Sequence, residues 1–140
     1  MLGIKADNTD QNFSKLDPES YRGVAQKVME KYPNVICVGT SLREVTSACL
    51  NNWRTVMMTR NGFFVSRKYD NIEIYDRVGG GDAFASGLIY AMLHNYRAMD
   101  MINFAVASSA IKHTIHGDAN ITDDVSTIRN LMNMNYDIKR

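Results

Sequence analysis

The sequence is poor in cysteine and carries almost no net charge. Its two cysteines, Cys37 and Cys49, are too few and too far apart for a cysteine metal knuckle. Sixteen basic residues nearly balance fifteen acidic ones, so bulk charge does not favour a nucleic-acid or membrane surface. No apolar run has the length of a membrane span, and no signal peptide is visible. We therefore expect a reduced cytoplasmic setting, no nucleic-acid partner and no membrane partner.

Two well-known nucleotide-binding patterns are also absent. The chain contains no G-x-x-x-x-G-K-[ST] sequence, which excludes a Walker loop. It contains no G-x-G-x-x-G sequence, because Phe84 stands where the third glycine would be. A phosphate site in this chain would have to use a different glycine turn.

The 140 residues, 45% of them apolar, are enough for one domain with a single core. The segment Asp17–Glu19 is a helix-start signal, with a capping acid and a proline at the first helical position. The apolar run Val35–Val38 predicts a buried parallel strand, with Gly39–Ser41 as the loop at its end. Asn61-Gly62 is a strong hairpin signal.

The remaining elements follow from periodicity and from turn residues. We expect further strands at Thr55–Thr59, Phe63–Ser66 and Ile72–Tyr75, and helices over 82–94, 100–113 and 124–132, with Asp100 and Thr122–Asp124 as caps. The polar segments Met1–Lys15 and 133–140 read as a loop and a fraying tail. This order predicts an α/β fold: a layered parallel sheet, a β-hairpin excursion running as a meander over Val56–Tyr75, and helices on both faces.

A turn of three glycines and an acid, Gly79-Gly80-Gly81-Asp82, lies between a predicted strand and a predicted helix. The first N–H groups of a helix lack partners and carry the positive end of its dipole, and glycines let an anion approach them. Asp82 beside such a site needs a reason, and one is that it accepts the proton of an attacking hydroxyl. A purely structural turn, with Asp82 as a cap, stays open and is favoured if these residues are taken alone.

The stretch Asp76–Gly87 resembles the C-terminal signature of the ribokinase-like (PfkB) carbohydrate kinases, an Asp-Thr-x-Gly-Ala-Gly-Asp pattern. Its Arg-Val-Gly-Gly-Gly-Asp variant is most similar to the 2-keto-3-deoxygluconate kinases. The resemblance continues through Asn103–Ala110 and Lys112–Asn120 and covers most of the chain from about Val35. It implies a ribokinase-like fold and makes residues 1–140 the C-terminal, nucleotide-binding part of a kinase domain, a partial domain.

The resemblance implies an ATP-dependent sugar kinase that phosphorylates 2-keto-3-deoxygluconate at its primary hydroxyl. Asp82 would be the general base and would contact the substrate hydroxyl. The backbone amides of Gly79, Gly80, Gly81 and Asp82 would bind the γ-phosphate. Asp118 would hydrogen-bond a substrate hydroxyl, although a helix C-cap followed by a turn is the structural alternative.

Four further residues are implied to contact the nucleotide. Asn103 and Ala107 match the helix that walls the adenine pocket, with plain core packing as the alternative for the alanine. Thr59 and Gly62 occupy the strand-end region where relatives carry a glycine loop, but the glycine expected before Arg60 is missing here. Gly39–Ser41 is a weaker candidate contact of the same kind.

The charged residues near the turn leave other choices open. Arg77 replaces the usual threonine and would either neutralise transferred phosphate charge or pair with Asp76 at the surface. His113 and His116 lack partners at zinc-ligand spacing, so no protein metal site is expected. ATP implies Mg²⁺, held mostly by phosphate oxygens and water. Some relatives also bind a monovalent cation near Asp76.

Two alternatives to the sugar-acid kinase remain. The chain would be a truncated, non-catalytic nucleotide-binding or interaction module, or a kinase of the same family with another sugar. Relatives are longer, so the implied partners are a sugar acid, ATP, and either a second copy or a missing N-terminal half. Because a fragment would expose a sheet edge, we expect self-association when it is alone.

Overall fold

The computed structural model of the chain describes residues 17–122 and 124–134. The predicted loop Met1–Lys15, Asp123 of the predicted cap and residues 135–140 of the predicted tail lie outside this range. After a short 3₁₀ turn at Pro18–Tyr21, the described chain forms four helices and four strands. They are α1 Arg22–Lys31, β1 Cys37–Val45, β2 Leu50–Thr59, β3 Gly62–Val65, β4 Tyr69–Glu73, α2 Gly80–Leu93, α3 Ala98–His113 and α4 Val125–Asn133. The predicted mixed α/β class is confirmed.

Short polar side chains begin the first and last helical segments, as expected. The Glu19 N–H donates to the Asp17 carboxylate at 3.0 Å, which confirms the predicted start. The Ser126 N–H donates to the Asp124 carboxylate at 3.0 Å and caps α4. The expected cap of α3 is wrong, because that helix begins at Ala98 and Asp100 lies within its first turn. An acid in the first turn still complements the helix dipole.

Strand β2 is the centre of a four-stranded sheet in which every pairing is antiparallel among the described residues. One edge of β2 pairs with β1 along its length, from Cys37 opposite Thr59 to Val45 opposite Asn51. Its other edge pairs with β3 near Thr59 and with β4 near Trp53. Every strand pairing of this sheet therefore involves the one long central strand, β2.

The expected parallel strand is wrong. β1 starts at Cys37 rather than at Val35, and it continues through Gly39–Ser41, which the sequence placed in a loop. The reason is the connection to β2: the N–H groups of Thr46 and Ser47 both donate to the Leu50 carbonyl at 3.0 Å, which turns the chain back at once. So short a connection allows only antiparallel pairing, whereas a parallel crossover needs a dozen or more residues.

The expected meander is also wrong in its last pairing. β4 spans Tyr69–Glu73 rather than Ile72–Tyr75, and it pairs with β2 instead of with β3. β3 has only four residues, so it leaves the other half of the β2 edge free for β4. The chain then leaves the sheet just before the glycine turn.

The two faces of the sheet carry different helices, which confirms the expected layering. Trp53 and Met57 of β2 are buried in two clusters with side chains of α2 and α3. On the opposite face Val56 is 1% exposed. There the Arg22 guanidinium of α1 lies over the Phe63 ring, 4.5 Å from its centroid. Alternation along β2 thus separates the α1 side from the α2–α3 side.

Helices α2 and α3 pack with unusually close backbones. A Cβ on Gly87 of α2 would lie 3.0 Å from the Ser108 Cβ and 3.1 Å from the Ala105 Cα. Small residues at these positions allow the close approach. It holds the start of α2 against the end of α3, where the candidate site lies.

Candidate active site

The glycine turn requires a residue without a side chain at its first position. Gly79 precedes α2 in the left-handed conformation, with φ 79° and ψ −6°. A Cβ on Gly79 would lie 1.8 Å from the Asp118 carbonyl oxygen. The turn therefore crosses directly over the backbone of the loop that carries Asp118.

The first turn of α2 presents open main-chain donors. No side chain of the described residues caps this helix. Within the same part of the chain, the N–H groups of Gly81 and Asp82 make no hydrogen bond, whereas Ala83 already donates to the Gly79 carbonyl at 2.8 Å. A Cβ on Gly81 would meet no atom within 4 Å, so this side of the turn faces open space. Open donors at a helix N-terminus can bind an anion.

Asp82 is exposed in the first turn of α2, rather than buried in the core. Its carboxylate makes no hydrogen bond or ion pair with the described residues. A carboxylate in this state can accept a proton from an approaching hydroxyl, provided that its substrate lies within hydrogen-bond distance. The assignment of Asp82 as general base stays a prediction.

Asp76 fastens the turn to the loop that carries Asp118. Its Oδ1 accepts a hydrogen bond from the Val78 N–H, and its Oδ2 accepts one from the Gly117 N–H, both at 3.0 Å. The Val78 bond, the Gly117 bond and nearby cations lower the pKa of this carboxyl below its usual range. The two predicted acids, Asp82 and Asp118, therefore lie on segments that are held together.

The end of α3 supports the turn from below. The Ser109 hydroxyl donates to the Gly80 carbonyl at 2.7 Å. The His113 ring packs where Gly80 has no side chain, because a Cβ there would lie 2.7 Å from the ring. His113 Nδ1 lies 2.6 Å from the Ser109 carbonyl, and its own carbonyl accepts from the Tyr75 N–H at 2.9 Å. Sequence reasoning missed these supports, although polar residues within an apolar helix were the available signal.

The His113 ring beneath the turn lies near several cations. Burial lowers the pKa of His113, and the nearby charges of Lys112, Arg43 and Arg77 lower it further. His113 is 2% exposed, so its ring is neutral and donates from Nδ1 to the Ser109 carbonyl.

Arg77 makes a main-chain contact instead of the expected ion pair with Asp76, and its expected role toward phosphate charge stays a prediction. Its guanidinium donates to the Ala48 carbonyl at 2.9 Å and so joins the turn to the β1–β2 connection. Asp76 uses its oxygens for main-chain N–H groups instead of pairing with Arg77. The expected Arg77–Asp76 ion pair is therefore absent from this part of the chain.

The predicted nucleotide residues have other contacts in the structure. Thr59 and Gly62 face each other where β2 meets β3. Thr59 is six residues, or about 20 Å at the usual rise, along β2 from Trp53, whose ring lies beside that of His113 beneath the turn. Asn103 uses its Oδ1 to accept from the Arg67 N–H at 2.9 Å. Ala107 has no exposed surface and packs in the core. Nucleotide contacts by these residues remain predictions.

Gly39–Ser41, the weaker candidate contact, packs against α2 near Phe84. These residues sit inside β1, and a Cβ on Gly39 would lie 3.0 Å from the tip of the Phe84 ring. Gly39 thus serves close packing of α2 on the sheet.

Two cavities among the described residues have no lining residue from the turn over 76–82. A cavity of about 550 Å³ lies between β4, α3 and α4, and one of about 220 Å³ lies between α2, α3 and α4. Ser86 and Gly87 line the smaller one, one helical turn beyond Asp82. The candidate site is therefore defined by its open donors and its acid rather than by a closed cavity.

Two kinds of feature are absent from residues 17–122 and 124–134. No three His, Cys, Asp or Glu side chains come together in a way that could hold a metal ion. No helix in this range combines the length and apolar content of a membrane span.

Comparison with known proteins points to one family. Residues 56–124 match the pfkB family of carbohydrate kinases. The 2-dehydro-3-deoxygluconokinase of Thermotoga maritima is 36% identical over 94% of this chain, with a TM-score of 0.81. A PfkB family carbohydrate kinase of Listeria grayi is 32% identical over 85% of the chain, with a TM-score of 0.73. No curated protein sequence matches the chain.

A third solved structure, from Enterococcus faecalis, is assigned as a 2-keto-3-deoxygluconate kinase. It is 25% identical over 99% of the chain, with a TM-score of 0.75. The chain spans 36 to 38% of the lengths of these three proteins. The fold and the site define a class of protein, namely ribokinase-like α/β proteins with an open helix N-terminus. Within that class, the chain belongs to the pfkB family of carbohydrate kinases and carries part of the family's domain.

Proposed function

We propose that the chain is the phosphate-binding and proton-accepting part of an ATP-dependent sugar kinase. The observation that carries the proposal is the first turn of α2, where the Gly81 and Asp82 N–H groups are open and the Asp82 carboxylate is exposed beside them. Phosphoryl transfer needs an oriented hydroxyl and neutralised charge, and little covalent help. One helix terminus supplies both needs here.

The main chain of Gly79–Asp82 holds the γ-phosphate in this proposal. Its N–H groups point along the positive end of the α2 dipole, and a helix N-terminus is a favourable anion site. Arg43 and Arg77, which lie near His113 beneath the turn, add positive charge to this region. These groups stabilise the negative charge that spreads over the transferred phosphoryl oxygens.

Asp82 accepts the proton of the attacking hydroxyl. The bond that forms joins this oxygen to the γ-phosphorus, the bond to the ADP oxygen breaks, and the hydroxyl proton passes to the carboxylate. Mg²⁺ neutralises phosphate charge when it is bound with ATP. Phosphate oxygens and water would hold most of this ion.

The sugar in this proposal is 2-keto-3-deoxygluconate, phosphorylated at its primary hydroxyl. Support comes from two similar proteins described as kinases of this sugar acid. Asp118 hydrogen-bonds a sugar hydroxyl, and its backbone contact with Gly79 keeps its segment beside the phosphate turn. A different sugar would leave the role of Asp82 unchanged.

A second candidate function is nucleotide binding without turnover. The β1 edge opposite β2 has no strand partner among the described residues, and Ile36 and Val45 at its ends are 58% and 48% exposed. An open edge with apolar flanks favours association with another polypeptide. In that case the chain would bind ATP and act only after association, either with a second copy or with a complementary part of the domain.

The test separates binding from turnover on the purified 140-residue chain. Calorimetry with Mg²⁺ and ATP measures binding, and formation of ADP with 2-keto-3-deoxygluconate measures turnover. Asp82→Asn should lower turnover by about 10²–10⁴-fold while ATP affinity stays nearly unchanged. Asp118→Ala should raise the KM for the sugar acid. Asp100→Asn, in the first turn of α3, is the matched control and should change neither quantity.

Each outcome decides between the candidates. ATP binding with turnover that depends on Asp82 supports the kinase. ATP binding without turnover, together with dimers in light scattering, supports the second candidate. Turnover of Asp82→Asn close to that of the unchanged chain would remove Asp82 from the mechanism, and no ATP binding would remove both candidates.

A further inference from the structure

A lysine ammonium lies buried beneath the glycine turn. Lys112 has no exposed surface, and its Cε lies 3.2 Å from the position that a Cβ on Gly79 would take. Its Nζ donates to the Ile115 carbonyl at 3.2 Å. The proposed reaction assigns no role to this charge, yet a buried ammonium is costly unless something compensates it.

Two groups compensate the charge of Lys112. One is the negative end of the α3 dipole, because Lys112 is in the last turn of that helix. The other is the Asp76 carboxylate, whose pKa is lowered first by the Val78 N–H and also by the Gly117 N–H, Lys112 and His116. Arg77 is a further cation near this end of α3. Unlike the side chains of Arg77 and His116, the Lys112 side chain has no exposed surface.

The same two segments meet at Asp76 and at Lys112. Asp76 begins the phosphate turn and accepts from Gly117 in the loop over 115–118. Lys112 packs under Gly79 in the turn and donates to Ile115 in the loop. A carboxylate on one segment and an ammonium below both therefore hold the turn and the loop in one geometry.

We propose that Lys112 is a positioning residue whose ammonium serves as an internal cation that holds the phosphate turn, 76–82, against the loop 115–118. In this role it fixes the open amides of α2 relative to Asp118. The identity of the bound anion rests on the proposed function. The proposal that Lys112 holds segments 76–82 and 115–118 together does not depend on it. Lys112 acts through the main chain of the turn and touches no substrate.

The experiment measures hydrogen–deuterium exchange in the full 140-residue chain without nucleotide. Peptides over 76–84 and 113–120 report on the turn and the loop. Lys112→Met keeps the length of the side chain and removes its charge. Exchange in both peptides should become about tenfold faster, because a hydrogen bond made by a charged group contributes more than one decade of equilibrium. Lys31→Met, at the exposed end of α1, is the matched control and should leave both peptides unchanged.

Chemical rescue tests the charge itself. Lys112→Ala leaves room for a small cation, so methylammonium chloride should restore slow exchange in that variant, whereas sodium chloride at the same concentration should not. Lys112→Met fills the same space and should not respond to methylammonium. If Lys112 acted only through packing, both peptides of Lys112→Met would stay protected from exchange. Methylammonium would then not slow exchange in Lys112→Ala more than sodium chloride does.

The results either support or overturn the proposal. Faster exchange in Lys112→Met with selective rescue of Lys112→Ala supports it, and exchange of Lys112→Met like that of the unchanged chain overturns it, as does the lack of rescue. If Lys112→Met fails to fold, recovery of the Lys112→Ala circular dichroism in methylammonium chloride replaces the exchange measurement. Calorimetry with ATP is a separate arm: failure of the unchanged chain to bind ATP rejects the proposed function and leaves the exchange result standing.

Discussion

Replacing Gly79 by alanine tests the crossing on which the candidate site depends. The left-handed backbone of Gly79 costs an alanine about 1–2 kcal/mol. The new Cβ would also lie 1.8 Å from the Asp118 carbonyl oxygen and 2.8 Å from its carbon. These atoms belong to the main chain and cannot rotate away, so overpacking adds about 1–3 kcal/mol. We expect Gly79→Ala to lower the free energy of unfolding by about 2–5 kcal/mol in total.

Urea unfolding followed by circular dichroism measures this loss. With a slope of about 1–3 kcal/mol per molar in urea, a loss of about 3 kcal/mol lowers the midpoint by about 1 M or more. Two alanine substitutions serve as matched controls. Gly81 and Gly23 have room for a Cβ, with nothing within 4 Å, and neither has a positive φ. Each control should keep or raise stability, by at most about 1 kcal/mol, because glycine is unfavourable inside a helix.

The same variant should lose affinity for Mg²⁺ and ATP in calorimetry. A shifted turn would move the Gly81 and Asp82 amides away from the loop that carries Asp118. Gly79→Ala with the same urea midpoint and the same ATP affinity as Gly23→Ala would refute the reasoning. It would mean that the turn does not cross the loop in solution.

Two further predictions concern the supports of the site. Because burial lowers the pKa of His113, the unfolded chain takes up its proton first, so stability should fall as the pH drops from about 6.5 toward the lowered value. Urea midpoints across that window should depend less on pH in His113→Gln, and equal pH dependence would contradict the burial of a neutral ring. Arg67 donates from one nitrogen to the carbonyls of Leu131, Met132 and Met134 at 3.2, 2.7 and 2.8 Å, which satisfies the C-terminal end of α4. Arg67→Met should speed exchange over 125–134 more than over 80–93, and a uniform change would argue against this local role.

Local signals were the parts of the fold that the sequence predicted well. The acid and proline at the first helix, the Asp124 cap and the glycine turn before α2 all act over a few residues, and each is present. The hairpin also forms, although β3 already begins at Gly62 and the turn falls one residue earlier than expected. These features depend on backbone freedom and on nearby hydrogen bonds, which a sequence displays directly.

Strand partners could not be predicted in the same way. The segment 39–45 is polar and gave no strand signal, yet it extends β1 because it pairs with β2 over its whole length. β4 could pair with β3 or with β2, and the shortness of β3 decided the matter. Strand propensity depends on the neighbours and burial that a strand finds, so tertiary contacts override it.

The sequence by itself determined the chemistry of the site: three glycines and an acid at a helix start, where open amides meet an exposed carboxylate. Only the tertiary structure decided what stands around it. The Ser109–Gly80 bond and the Gly117–Asp76 bond join residues 29 and 41 positions apart. Such contacts form only after the intervening chain has closed, and their free energy depends on the burial that closure creates. Helix termini are local and could therefore be predicted, whereas the loop and the buried lysine that hold this one required the fold.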